Sequence, residues 1–469
     1  MPISENVNIS KTINSNKFEK KIRVALLSSF SINGLSEILT VKCAEAKVGC
    51  FNYIGGYNQY TQEILNESSD LYKFNPDVTF LIVDVQKILG DLYFSPFSKT
   101  TIERKNFVKN LLDDFFSLIQ FFTKKSNSKI IISNLNAQNY SPYGIFETKT
   151  TYGINEMIND FNIKLMNYVK DEPLAFILDF NSFVSKYGNE NIFDFRQYYF
   201  ADLQISFNMM EKFADELMSY IKPLVGLTRK CIVLDLDNTL WGGIVGEDNL
   251  EGLILGPNGL GSAFMEFQRR LLSLQQRGII LAINSKNNFE DAMNVISQHP
   301  YMILRENHFA CFKINWNDKV SNMKEIAREL NIGLDSIVYF DDDPINREFV
   351  KKIMPEINTI DLPKDPSLFS KSLMDLNDFN VLKITNEDKT RGKMYIQQKN
   401  RNSLSQSTTD LNEFLSELHT KIKIKNADKF TIPRISQLTL KTNQFNLTTK
   451  RYQEEDIANL SQNKDMMLG

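Results

Sequence analysis

The chain is poor in histidine. Three occur in 469 residues, His299, His308 and His419, so everything before His299 lacks histidine-based acid–base chemistry of its own. Cysteine is almost as scarce. Cys43, Cys50, Cys231 and Cys311 are scattered, and Cys231 and Cys311 lie in apolar runs. They read as buried thiols in a reducing cytoplasm, not as a disulfide framework. No apolar stretch approaches the length that crosses a bilayer. The first 20 residues are polar and rich in Asn, Ser and Lys; without an apolar signal core they read as a loose tail. A net charge of −3 gives no electrostatic reason to expect nucleic acid or an anionic membrane as partner.

What is present is an α/β alternation. The length fits two or three domains, each able to bury a core. From residue 21 to 224, apolar runs at Ile22 to Leu27, Val78 to Val83, Lys129 to Ser133 and Phe176 to Leu178 read as buried parallel strands. Helical stretches such as Lys105 to Phe122 separate them. From 225 to 380 the alternation is clearer, with strands at Cys231–Leu234, Ile279–Ile283 and Ile337–Phe340 and weaker ones near Phe309 and Ile357. Phe264, Phe267, Leu271 and Leu274 recur at helical spacing, so Gly261 to Arg277 reads as an amphipathic helix ended by Gly278. Asn317 or Asp318 can cap a helix that runs to Leu330. From 381 to 469 the chain is polar. A charged helix is expected over Glu387 to Asn402, a Ser/Thr-rich loop over Ser403 to Thr409, a helix over Leu411 to Leu418 and a short strand over Lys421 to Ile424.

Four chemical signals stand in order in the 225–380 stretch. Cys231–Leu234 runs into Asp235-x-Asp237-x-Thr239, and two carboxylates two residues apart on a strand share a face. One can attack phosphorus and the other can carry a proton; together they attract a hard divalent cation such as magnesium. Ser285 follows the next strand, where a hydroxyl can hold a phosphate oxygen. Lys319 lies just inside a helix start, so its ammonium and the helix N-terminus both favour phosphate. Asp341 and Asp342 follow the strand Ile337–Phe340, where a carboxylate completes a magnesium site with Asp235. The spacing between Asp237 and Ser285 leaves room for a small flap over Gly242 to Leu260 and one helix, not for a large cap domain.

This order resembles the haloacid dehalogenase (HAD) superfamily, and the resemblance implies a capless Rossmann-like domain. By that match Asp235 is the nucleophile and Asp237 the general acid/base. Thr239, Ser285 and Lys319 hold the phosphoryl group, with Lys319 also catalytic, and Asp235, Asp237, Asp341 and Asp342 surround Mg2+. Leu-Asp-Asn-Thr-Leu-Trp-Gly-Gly-Ile-Val-Gly-Glu-Asp (236–248), Asn284-Ser-Lys-Asn-Asn288, Phe340-Asp-Asp-Asp-Pro344 and Thr442-Asn-Gln-Phe-Asn-Leu-Thr-Thr449 resemble the FkbH subfamily. Gly56-Tyr-Asn-Gln-Tyr60 and Phe74-Asn-Pro-Asp77 resemble its leader domain. The implied activity is a magnesium-dependent phosphatase or phosphotransferase acting on a phosphorylated small acid or acyl phosphate in a biosynthetic pathway. The alternatives are glyceryl transfer from bisphosphoglycerate to an acyl carrier protein, and a non-catalytic assembly module.

The chain departs from that pattern in four places, one being Asp343 and Asn346, where relatives are expected to carry Asn and Glu. Members that load glyceryl units carry a cysteine before Ser-Lys-Asn, and here Asn284 stands there, so no thioester can form. The 21–224 stretch resembles an SGNH-hydrolase-like domain with Ser28 or Ser29 after a strand. With no histidine before His299 it reads as a scaffold or docking domain without serine hydrolysis. The 381–469 stretch resembles an incomplete acetyltransferase-like α+β segment that lacks the glycine-rich turn for acyl-CoA.

Overall fold

A computed structural model describes residues 3–136, 140–385, 388, 426–428, 430–441 and 450–462. The chain divides into two compact units, residues 1–225 and 226–469, each built on its own sheet.

The first unit holds five parallel strands, β1 (Lys20–Ser28), β2 (Val48–Ile54), β3 (Val78–Ile82), β4 (Lys129–Ser133) and β5 (Ala175–Leu178), in the order β2-β1-β3-β4-β5. Strand β2 escapes a reading by apolar runs because it is an edge strand carrying Gly49 and Asn52. The expected loose tail contains a helix, Ile3–Thr12. Polar composition alone does not melt it, because it has a surface to lie on: Asn6 is buried and Ile3 packs over Gly34, its Cγ2 3.0 Å from where a Cβ would stand. The helix Thr101–Lys125 begins with a capping box in which Thr100 and Glu103 satisfy each other's backbone N–H. The serines after β1 serve the local backbone. Ser28 Oγ accepts from the Phe30 N–H at 3.2 Å, and Ser29 Oγ accepts from the Asp84 N–H at 2.8 Å.

The second unit holds β6 (Cys231–Leu234), β7 (Ile280–Ser285), β8 (Phe309–Ile314), β9 (Ile337–Phe340) and β10 (Asn358–Thr359), all parallel in the order β10-β9-β6-β7-β8. The chain runs from β6 outward through β7 and β8, then returns to β9 on the other side of β6. The strand order therefore reverses between β6 and β9, and in an open parallel sheet the crevice at such a reversal is the binding site. Period-2 alternation sorts β6 onto two faces. Ile232 and Leu234 join the core with Phe264, Phe267 and Phe340, while Cys231 and Val233 join the core with Cys311, Met323 and Tyr339. All four cysteines are buried free thiols.

Between β6 and β7 lie a short flap and the helix Gly259–Arg277. The flap is pinned by a backbone pair between Gly242 and Ile254, with N···O distances of 3.1 and 2.8 Å. Gln268 on that helix is fully buried and braces the turn after β6. Its Nε2 donates to the Leu240 carbonyl at 2.7 Å, and its Oε1 accepts from the N–H groups of Ile303 and Leu304. Beyond residue 385 the described helices are Ile432–Lys441 and Glu454–Gln462. Apart from Asp388, the elements expected over 387–424 and the motif 442–449 lie outside the described residues.

Phe267 is fully buried and meets Phe340 and Phe369 edge-on at 5.7 and 5.8 Å between ring centres. Replacing it with alanine leaves a cavity against β9. Phe267→Ala should destabilise the second unit by about 3–5 kcal/mol, read as a lower urea midpoint for that unit's unfolding.

Candidate active site

Asp235 directly follows β6, and Asp341 and Asp342 directly follow β9. These two strands are hydrogen-bonded neighbours, with Leu234 opposite Phe340. The three carboxylates are brought together by this register. Each offers an oxygen within 4.8 Å of the others. Lys319 is the first residue of the helix Lys319–Glu329, whose N-cap Asp318 accepts from the Ser321 N–H at 2.8 Å. Its side chain is 1% exposed. Its Nζ lies 2.8 Å from Asp235 Oδ1 and 3.1 Å from Asp341 Oδ2, and donates to the Asn284 carbonyl at 2.7 Å. Burial alone would drive the proton off Lys319, but the two carboxylates outweigh it and hold its pKa above the usual lysine value.

The carboxylates feel the opposite pressure. Burial raises the pKa of Asp235, the neighbouring Asp341 charge adds to that, and Lys319 and the Ser285 hydroxyl pull against it. Asp342 is pushed up to about 7, first by burial and then by the charges of Asp235 and Asp341. Lys319 compensates one of three carboxylate charges, two buried and that of Asp342 half-buried; the remaining two match one divalent cation. Asp235 Oδ1 is buried and makes no hydrogen bond, its close neighbour being the Lys319 ammonium at 2.8 Å. An all-oxygen donor set with an unfilled lone pair fits a hard cation.

Asp237 stands apart from that three-carboxylate group. Its Oδ1 accepts from Trp241 Nε1 at 2.9 Å and from the Val245 N–H at 3.2 Å, and its Oδ2 accepts from Asn287 Nδ2 at 2.9 Å. Its carboxylate is thus fixed beside the cation-sized group without being a member of it. Burial raises its pKa, while the Trp241 and Val245 hydrogen bonds restrain the rise. Asn238 takes a left-handed turn at φ +54°, which Asn tolerates, and its Oδ1 accepts from the Gly243 N–H at 2.9 Å. Thr239 is fully buried, its Oγ1 accepting from the Asp342 N–H at 3.2 Å. Ser285 is the last residue of β7, which runs two residues beyond the expected strand end.

Several supporting residues carry no sequence signal that separates them from core or surface. Tyr339 is fully buried and donates its hydroxyl to Asp341 Oδ2. Arg347 Nη1 donates to the carbonyls of Asp341 and Asp342 at 2.7 and 2.6 Å, fixing the loop that presents both carboxylates. Asp343 caps the helix Pro344–Ile353, and its own N–H donates to Asp341 Oδ1 at 2.9 Å. Asn284 was notable from the sequence only for lacking a thiol. Here its Nδ2 donates to the Lys319 carbonyl at 2.9 Å, and its Oδ1 accepts from Asn322 Nδ2 at 3.1 Å. With Lys319 Nζ donating back to the Asn284 carbonyl, residue 284 clamps the start of the lysine's helix to β7.

Residues 23–222 match the sequence model of the FkbH N-terminal domain. The first unit is thus similar to the FkbH N-terminal domain. The crystal structure of the N-terminal part of BF1531 from Bacteroides fragilis, which contains a phosphatase domain and is complexed with Mg, aligns at a TM-score of 0.75 and 29% identity. The alignment covers 82% of this chain and 100% of that one. A lipase from a goat rumen metagenome, at 13% identity, and an acetyl xylan esterase, at 16%, align over 43% of the chain. They cover 96% and 100% of their own chains, with TM-scores of 0.31 and 0.30 that carry no weight. No curated protein matches the chain.

Two outcomes follow from this geometry. A carboxyl group whose pKa is raised by folding binds more protons in the folded than in the unfolded state, so stability falls as pH rises through the window between the two values. For Asp342 that window runs from the ordinary carboxylate value to about 7. A hard divalent cation such as magnesium removes the repulsion. The rise in Tm on adding it should be larger at pH 8 than at pH 5.5, by thermal melts at matched ionic strength. Asn284→Ala leaves the buried Lys319 carbonyl without its donor and should cost about 1–3 kcal/mol. Asn284→Cys should cost as much, because a thiol is a weak donor and acceptor. Urea titration of both variants checks this.

Proposed function

We infer that the second unit is a magnesium-dependent HAD-type phosphatase acting on a phosphorylated small molecule through an aspartyl-phosphate. The observation that carries this reading is the buried Lys319 ammonium held between Asp235 and Asp341 at the strand-order reversal. The FkbH N-terminal match and the phosphatase-domain neighbour complexed with Mg support it. Asp235, Asp341 and Asp342 would hold the magnesium ion. When bound, the ion supplies charge neutralisation for the phosphoryl oxygens and the nucleophile that must approach them.

The chain's own groups divide the remaining work. A carboxylate oxygen of Asp235 attacks phosphorus and the ester P–O bond breaks. The leaving oxygen takes a proton from Asp237, whose pKa burial raises above the ordinary carboxylate value, favouring its protonated form. Water then attacks the phosphorus of the aspartyl-phosphate. Asp237, now ionised, takes the water's proton, and the acyl-phosphate P–O bond breaks to return the Asp235 carboxylate and free phosphate. Thr239 and Ser285 hold phosphoryl oxygens, and Lys319 balances the charge on the transferring group.

Loading of an acyl unit onto a carrier protein through a thiol forms no part of this reading. Asn284 has no thiol, and its amide is committed to Lys319 and Asn322. Asp235→Asn should lower magnesium-dependent phosphate release from an aryl phosphate by about a thousandfold or more. Chelation should abolish release by the wild type. Turnover that survives the substitution would sink the assignment of Asp235 as nucleophile.

A further inference from the structure

We propose that this site selects phosphate monoesters whose organic part is apolar, and that an exposed rim of Ile244, Phe289, Trp316 and Ile345 receives that part. The inference rests on the phosphatase reading above and adds the class of its substrate.

The four residues come from the segments that follow β6, β7, β8 and β9 in turn, Ile244 and Trp316 from loops and Phe289 and Ile345 from the first turns of the helices Phe289–Gln298 and Pro344–Ile353. All four segments leave the sheet at the strand ends where the carboxylates stand. Each residue is tied to the site through a neighbour one or two positions away. Ile244 precedes Val245, whose N–H donates to Asp237. Phe289 follows Asn287, whose amide donates to the same carboxylate. Trp316 follows Asn315, whose N–H donates to the Ser285 carbonyl at 3.1 Å. Ile345 follows Asp343, whose N–H donates to Asp341. Their exposures are 40%, 51%, 77% and 76%. The chain's other tryptophan, Trp241, is fully buried. A tryptophan three-quarters in water is unusual, and exposed apolar side chains on the segments that build a polar site mark ligand contact.

The chemistry says which part of the substrate meets them. Attack by Asp235 from the floor of the site is in line, so the leaving oxygen lies on the far side of phosphorus. The group attached to that oxygen therefore points toward the opening. The segments 242–248, 285–289, 314–318 and 341–345 contain one cation between them, Lys286. An acidic body has a single ammonium to meet there, whereas an apolar body is offered surface from four sides.

The test compares kcat/KM for 1-naphthyl phosphate and methyl phosphate, with magnesium, in the full-length protein and its variants. Because the two alcohols differ as leaving groups, the informative quantity is the change in the naphthyl-to-methyl ratio on mutation. Trp316→Ala should lower that ratio about tenfold, Phe289→Ala should lower it less, and Lys286→Ala should not lower it. An unchanged ratio in Trp316→Ala overturns the rim while the phosphatase reading stands. Failure of the wild type to hydrolyse either ester overturns the phosphatase reading and the rim with it.

Discussion

The second unit is organised around one buried ammonium. Lys319 is 1% exposed, and taking a charge out of water costs several kcal/mol unless it is paired and hydrogen-bonded. Asp235, Asp341 and the Asn284 carbonyl meet that requirement at once. The reverse dependence matters as much. Asp235 and Asp341 are like charges on adjacent strands, and their approach at the end of the sheet is tolerable because the lysine lies against both. Removing the lysine would leave an unpaired acidic cluster. Removing either aspartate would leave a cation in the interior with a poorer partner set.

Around this charge the polar groups are arranged to leave only certain lone pairs open. Tyr339 and the Asp343 N–H occupy the two oxygens of Asp341. Trp241, Val245 and Asn287 occupy those of Asp237. Gln268 and Arg347 fix the backbone of the two loops that carry the carboxylates. Asp235 Oδ1 is the buried oxygen left without a donor. The two aspartates of the same strand end therefore stand in different surroundings, Asp235 against an ammonium and Asp237 held in one orientation by three hydrogen bonds.

The sequence is most legible where one physical rule acts alone. Buried parallel strands are continuous apolar runs, and β1, β3, β4, β6 and β9 announce themselves this way. Strand β2 does not, because Gly49 and Asn52 interrupt it and its pairing to β1 supplies the order that composition withholds. The helix Ile3–Thr12 is hidden for a similar reason: its stability comes from a surface found only in the folded unit. At the site, carboxylates at strand ends are visible because strand and Asp are both local signals. Tyr339, Arg347 and Gln268 are not, because a core tyrosine, a helix arginine and a helix glutamine look the same whether or not they meet a catalytic loop. The separation of Asp237 from the three-carboxylate group is likewise invisible, since a shared strand face does not fix which oxygens are already taken by an indole and an amide.

Asn284 shows how one position can carry a different task on the same frame. A thiol there would offer a nucleophile to an acyl group. The amide instead bonds the first turn of the Lys319 helix and Asn322, in a place with no solvent exposure. Both uses demand the same location, at the end of β7 beside Ser285 and next to the lysine, yet they exclude each other, because an amide held by two buried partners cannot be released without leaving those partners unsatisfied. Asp235, Asp237, Thr239, Ser285 and Lys319 need nothing from the sulfur. Under the phosphatase reading proposed above, phosphate chemistry is separable from thioester chemistry, and what residue 284 does in this chain is fix the position of the lysine.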